Sequence, residues 1–146
     1  MASFELSNAQ RDIWLDQEIG GSAVTYNCGG FVEIEGAMDL AAFRRAVRTV
    51  AFRYDCLRLR ISLDEHGVPF QYIQSNIDED VEFVDFGGAG DPRSDAIEWM
   101  QSQFEESFVV VGAQLFKYAL VRLTDTRFFW FRKYHHLIVD GFSMGI

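Results

Sequence analysis

The chain has 146 residues, carries 13 Lys+Arg against 22 Asp+Glu for a net charge of −9, and is 49% hydrophobic with 15% aromatics. That length suits one domain with a sizeable core, and this apolar content excludes a disordered segment. The acidic balance excludes general binding to nucleic acid or to anionic membranes, and no apolar run reaches the ~20 residues of a membrane helix. The start Met1-Ala2-Ser3-Phe4-Glu5 lacks the basic and apolar stretches of a signal peptide. Cys28 and Cys56 make neither a disulfide framework nor a close-spaced metal pair, so a cytoplasmic protein is expected.

Ser7, with Gln10 three residues on, forms a capping box that predicts a first helix, with Ile13 and Trp14 inward and Gly20-Gly21 as its stop. A strand is expected over 31–35. Asp39 caps a second helix of about four turns, in which Leu40, Phe43, Val47, Val50 and Tyr54 form one apolar stripe. Leu57, Leu59, Ile61 and Leu63 alternate with Arg58, Arg60 and Ser62 as a strand does. The turn Asp64-Glu65-His66-Gly67 leads into a hairpin partner over 68–74. Residues 81–85 make a short strand. After a glycine-rich loop, Asp91-Pro92 opens a third helix with an N-cap and a first-turn proline, Ile97, Met100 and Phe104 facing in and Glu98, Glu105 and Glu106 facing out. Residues 115–123 and 127–134 form a second hairpin around Thr124-Asp125-Thr126. The pattern predicts a single α/β (α+β) two-layer sandwich, with helices packed on a mixed, largely antiparallel sheet.

The last strand runs into His135-His136-Leu137-Ile138-Val139-Asp140-Gly141-Phe142-Ser143. Strand ends that feed loops are where rigid scaffolds present reactive groups, and imidazole titrates near neutral pH. Adjacent strand residues point to opposite faces, so His135 and His136 should differ in role, one facing a cleft and the other buried in support. Gly141 would allow a backbone geometry that a Cβ forbids. A packed, hydrogen-bonded pair of core histidines is the plainer alternative. A metal site on His136 and Asp140 lacks a third ligand, since His66 sits in a distant turn. A Ser143-His136-Asp140 triad lacks the nucleophile elbow and the usual spacing. The residues alone lead to a histidine-centred site at a strand end.

His135-His136-Leu-Ile-Val-Asp140-Gly141 resembles the HHxxxDG motif of condensation domains from non-ribosomal peptide synthetases. Ser7-Asn8-Ala9-Gln10 with Trp14 is similar to the opening motif of that family, and Arg53-Tyr54-Asp55-Cys56-Leu57-Arg58 to its RHExLR motif. Asp12 replaces an Arg of the first motif, Tyr54 and Asp55 the His and Glu of the second. The aromatic strand and the ending Val-Asp-Gly-Phe-Ser resemble condensation domains of enterobactin-type siderophore synthetases.

The resemblance implies a chloramphenicol acetyltransferase-like lobe, two of which face each other across a tunnel. There an acceptor amine on one carrier protein's phosphopantetheine attacks a donor acyl thioester on another's. It implies that His136 is the general base or positioning group, that His135 supports it, and that Gly141 brings its amide near the reacting centre. It further implies that Asp140 points away from the tunnel to pair with Arg58, a residue that could equally lie on a solvated strand face. Ser143 would cap a following helix. The resemblance implies no directly bound cofactor or metal. The partners implied are donor and acceptor carrier proteins, a C-terminal condensation lobe, and a downstream adenylation domain, with no nucleic acid and no membrane.

Family members are far longer, and this sequence ends just after the signature. It is therefore expected to be the N-terminal lobe alone (1–146), inactive by itself, with an apolar face left exposed. Its start, a few residues before the opening motif, suggests the first domain of a synthetase that receives its donor from a separate protein. An epimerisation domain, a coenzyme A-dependent acyltransferase and a non-catalytic recruitment module for carrier proteins are the alternatives.

Overall fold

In the computed structural model, which describes residues 3–77 and 80–143, local sequence signals start each helix. Helix α1 (Asn8–Glu18) opens with the full capping box: Ser7 Oγ accepts from the Gln10 N–H while Gln10 Oε1 accepts from the Ser7 N–H. Helix α2 (Leu40–Arg53) starts where Asp39 accepts from the Ala42 N–H. Helix α3 (Pro92–Glu105) begins with Asp91 as N-cap and Pro92 in the first turn.

Among the described residues seven strands form two sheets. Strands β1 (Ser3–Glu5), β4 (Pro69–Ile73) and β3 (Leu59–Leu63) make an antiparallel sheet in the order β1-β4-β3. The larger sheet has the order β2-β7-β6-β5, built from β2 (Asn27–Glu35), β7 (Arg127–His135), β6 (Phe116–Thr124) and β5 (Glu82–Asp85). Strand β5 runs parallel to β6, and the return path between parallel neighbours is made by α3. The other pairs are antiparallel, so the mixed α/β character expected from the sequence is present.

Helices cover both faces of the larger sheet. On one face Phe129 and Phe131 of β7, with Ala119, Val121 and Leu123 of β6, pack against Ala96 and Met100 of α3. Trp99 and Phe104 of that helix meet the Phe131 ring edge-on, with centroids 5.8 and 5.2 Å away. On the other face Phe128, Tyr134, Tyr118 and Leu120 join a second cluster with Val47 and Ala51 of α2, Trp14 of α1 and Ile61 of β3. Strand β2 approaches β7 closely through Gly29, whose φ is +142° and where a Cβ would lie 2.0 Å from the Arg132 carbonyl oxygen. Only glycine fits there.

Three expectations change. Leu57 and Arg58 belong to a one-turn 3-10 helix, Asp55–Arg58, so Arg58 is not on a strand. Arg60, assigned to the polar phase, is buried at 1% exposure beside the fully buried Ile61, because both sides of β3 are covered. The stripe on α2 is only half core: Val50 and Tyr54 are exposed at 43% and 37%.

Candidate active site

Strand alternation sorts the residues of β7 into two rows. Phe129, Phe131, Lys133 and His135 face α3, and all four are buried. Trp130, Arg132 and Tyr134 face α2, and His136, one step beyond the strand, is exposed. The histidines thus occupy opposite environments.

His135 is 0% exposed and sits between the rings of Tyr26 and Phe108, 6.2 and 6.0 Å away by centroid. Its Nδ1 accepts the Leu137 N–H at 3.1 Å, so the ring proton lies on Nε2, which has no partner among the described residues. Burial above all, then the neighbouring charges of His136 and Lys133, push its pKa from 6.5 down to about 4. Lys133 keeps its buried ammonium by donating to the Gln103 and Glu106 carbonyls at 2.7 and 2.5 Å. Burial holds its pKa below the usual lysine range.

The backbone around His136 is held from several directions. The His135 N–H donates to Leu115 O, the His136 N–H to Tyr26 O, and the Ile138 N–H to His135 O, at 2.8, 2.9 and 3.1 Å. Gln10, on α1, donates from Nε2 to the Leu137 carbonyl at 2.9 Å. Leu137, Ile138 and Val139 are then driven into the core, at 2, 6 and 7% exposure. The three residues between the histidine and the aspartate are therefore a hydrophobic plug that anchors an otherwise exposed loop. Gln10 and Tyr26 were not singled out as site residues from sequence. Gln10 is visible there as a cap and as part of the opening motif, and the Tyr26 contact uses a backbone oxygen that no side-chain pattern reports.

Asp140 and Arg58 both depart from expectation. The Asp140 carboxylate accepts from the Ser143 N–H and Oγ at 2.8 and 2.7 Å, and these bonds hold its pKa below the ordinary carboxyl value. Asp140, three residues ahead, caps the Ser143 amide. The helix expected after Ser143 lies outside the described residues. Arg58 does not pair with Asp140. Its guanidinium folds back over the end of α2, donating to the carbonyls of Ala51, Phe52 and Gln74 at 3.1, 3.4 and 2.9 Å, and it pairs with the carboxylate of Asp55. Membership of the 3-10 turn aims Arg58 at helix C-terminal carbonyls, where a cation is favoured. Gly141 has open space where a Cβ would stand and no left-handed φ, so the glycine-only geometry expected there is absent.

A cavity of about 540 Å³ opens between α2 and the sheet. Phe43, Val47 and Val50 form one wall, Tyr118, Trp130 and Arg132 another, and Val139 and Ser143 its rim beside the signature, while neither histidine lines it among the described residues. The Arg132 guanidinium stacks on Trp130 at 4.8 Å, and the buried Trp130 Nε1 and Arg132 Nε have no partner among the described residues. Tyr118 and Tyr134 share a hydrogen bond of 2.9 Å, and burial pushes both phenols up. No helix among the described residues is long and apolar enough to cross a membrane.

The family profile described as Condensation domain matches residues 2–146. The dimodular nonribosomal peptide synthase of Bacillus subtilis (strain 168) is 30% identical over 143 residues, 98% of this chain and 6% of that protein. Enterobactin synthase component F of Escherichia coli (strain K12) is 29% identical over 137 residues, 92% of this chain and 10% of that protein. The crystal structure of the starter condensation domain of rhizomide synthetase RzmA superposes with a TM-score of 0.89 at 30% identity, over 97% of this chain and 36% of that one. The chain therefore spans a tenth or less of those two synthases and about a third of the solved domain.

Proposed function

Because the chain belongs to the condensation-domain family, we propose that it is the N-terminal lobe of a condensation domain and supplies half of a site that joins two tethered substrates through an amide bond. Its mixed α/β architecture is the chloramphenicol acetyltransferase-like fold of that family. Members of the family work on substrates carried by the phosphopantetheine arms of carrier proteins, so the arm arrives with its carrier. No prosthetic group bound by this chain enters the proposal. The finer partners proposed are a donor carrier, an acceptor carrier, a second condensation lobe and an adenylation domain in the full cytoplasmic protein. Siderophore assembly is the narrower reading, supported by the likeness to enterobactin synthase component F.

In the proposed reaction the acceptor amine attacks the donor thioester carbon. A tetrahedral intermediate forms, the C–S bond breaks, and the donor's phosphopantetheine leaves as a thiolate that takes up a proton. His136 accepts the proton that the amine loses and passes it toward the leaving sulfur. General-base help of this kind typically contributes about 10²–10⁴-fold, and holding two tethered reactants together can contribute more. His135 supports the turn that carries His136. Asp140 shapes the loop through Ser143, Arg58 ties the end of α2 to Gln74 just past β4, and Gly141 leaves an uncluttered amide.

The observation that carries the proposal is the split between the histidines of the signature, His135 sealed and His136 exposed on an anchored turn. The test uses the full-length synthetase with both carriers loaded. His136→Ala is expected to lower amide formation by about 10²-fold or more while leaving carrier loading intact. Unchanged product would instead favour a recruitment module. Inversion of the donor stereocentre without condensation would identify an epimerisation domain, and turnover of free coenzyme A thioesters would identify a soluble-substrate acyltransferase. The 146-residue chain alone is expected to form no product.

A further inference from the structure

We propose that Gln10 is a positioning residue for His136, acting through the Leu137 carbonyl. The inference rests on the role of His136 proposed above. Gln10 lies 127 residues away from Leu137 in sequence, yet its Nε2 donates to Leu137 O at 2.9 Å. The rest of its amide is also committed. Its Oε1 accepts from the Ser7 N–H at 2.9 Å and from Gln71 Nε2 at 3.1 Å, and its second Nε2 proton goes to Gln71 Oε1 at 3.0 Å. An amide has two N–H donors and two acceptor lone pairs, and here all four are engaged. The group can therefore adopt one orientation only, and that orientation delivers a donor to the turn.

Gln71 is in turn held by β1, where Glu5 O accepts its other N–H at 2.8 Å. The path runs from β4 and β1 through two facing amides to the first turn of α1, and from there to the carbonyl of Leu137, the residue after His136. Hydrogen-bonded strands and the first turn of α1 thus set the height of an exposed loop. The residue does two separable jobs, since its oxygen caps α1 and its nitrogen grips Leu137. Capping needs only an acceptor, so a glutamate would do that job as well. Gripping needs a donor, which a carboxylate lacks, and a carboxylate would also repel the Leu137 carbonyl.

Gln10→Glu separates the two. In the full-length synthetase with both carrier proteins loaded, it is expected to lower the condensation rate about 10–100-fold, the scale of a displacement of roughly 1 Å at a reacting group. The carrier concentrations giving half-maximal rate should not move. Hydrogen exchange is expected to quicken at residues 136–139 and to stay unchanged over Asn8–Glu18. If Gln10→Glu does not yield folded protein, Gln71→Leu removes the amide that orients Gln10 and should lower the rate several-fold in the same manner. An unchanged rate, while His136→Ala is inactive, overturns the inference and leaves the role of His136 standing. An unchanged rate in both variants overturns both. A slower rate that comes with faster exchange across the whole of α1 also overturns it, because Gln10 would then be holding the helix and not the turn.

Discussion

The two faces of the larger sheet are packed to different standards. Under α3, Phe129, Phe131 and His135 are each 0% exposed and the rings interlock edge to face. Under α2, Trp130 and Arg132 look into a cavity of about 540 Å³, with the aromatic ring of Phe43 across it 5.6 Å from the indole. One strand carries both rows. The closed row gives β7 a fixed position, and the open row points toward the side where His136 emerges. The site therefore borrows its rigidity from side chains on the opposite face of the strand that presents it.

The largest test of this contrast is cavity formation on the closed face. Phe131→Ala is expected to cost about 3–5 kcal/mol in equilibrium denaturation, whereas Val50→Ala, on the open side, should stay within about 0.5 kcal/mol. Equal costs would mean that the two faces do not differ as described.

A pH titration of stability sharpens the comparison next. The buried His135 ring stays neutral down to about 4, while the unfolded ring takes up a proton from 6.5 downward. Stability is thus fully present above pH 6.5 and is lost as pH falls toward 4. At about 1.4 kcal/mol per pH unit the loss is on the order of 3 kcal/mol. Denaturant midpoints measured from pH 7 to 4 should fall in the native protein and hold level in His135→Gln. Asp140, whose folded pKa lies below 3.8, keeps its full contribution above that value and loses it only at lower pH, so the two windows separate. The smallest effect is expected at Gly141. With no atom of the described residues beyond its chain neighbours within 4 Å of its missing Cβ, Gly141→Ala should leave stability unchanged to about 0.5 kcal/mol.

Local signals were readable wherever a residue acts on its own neighbours. Ser7, Asp39 and Asp91 mark helix starts because a cap bonds to an amide three residues away, and both hairpins follow from turn residues between alternating runs. The unlike histidines follow from the period of a strand. Other features resisted reading. Arg58 has the spacing of a strand residue, but the chain tightens into a turn that pairs it with Asp55, so its bond to Asp140 was misplaced. Arg60 looks exposed by alternation and is buried because β3 is covered on both sides. The stripe on α2 has the period of a core face, and periodicity does not distinguish a wall of packed side chains from a wall of a cavity.

Sequence alone therefore settled the order of the three helices and of strands β2 to β7, though not β1 or the 3-10 turn, and the two histidines in their motif, since these depend on contacts spanning a few residues. It took the folded chain to decide which histidine is sealed and that Gln10 and Tyr26 reach the loop. Those outcomes depend on which elements become neighbours across a hundred residues or more, and hydrogen bonds of that reach leave no periodicity in the chain that makes them.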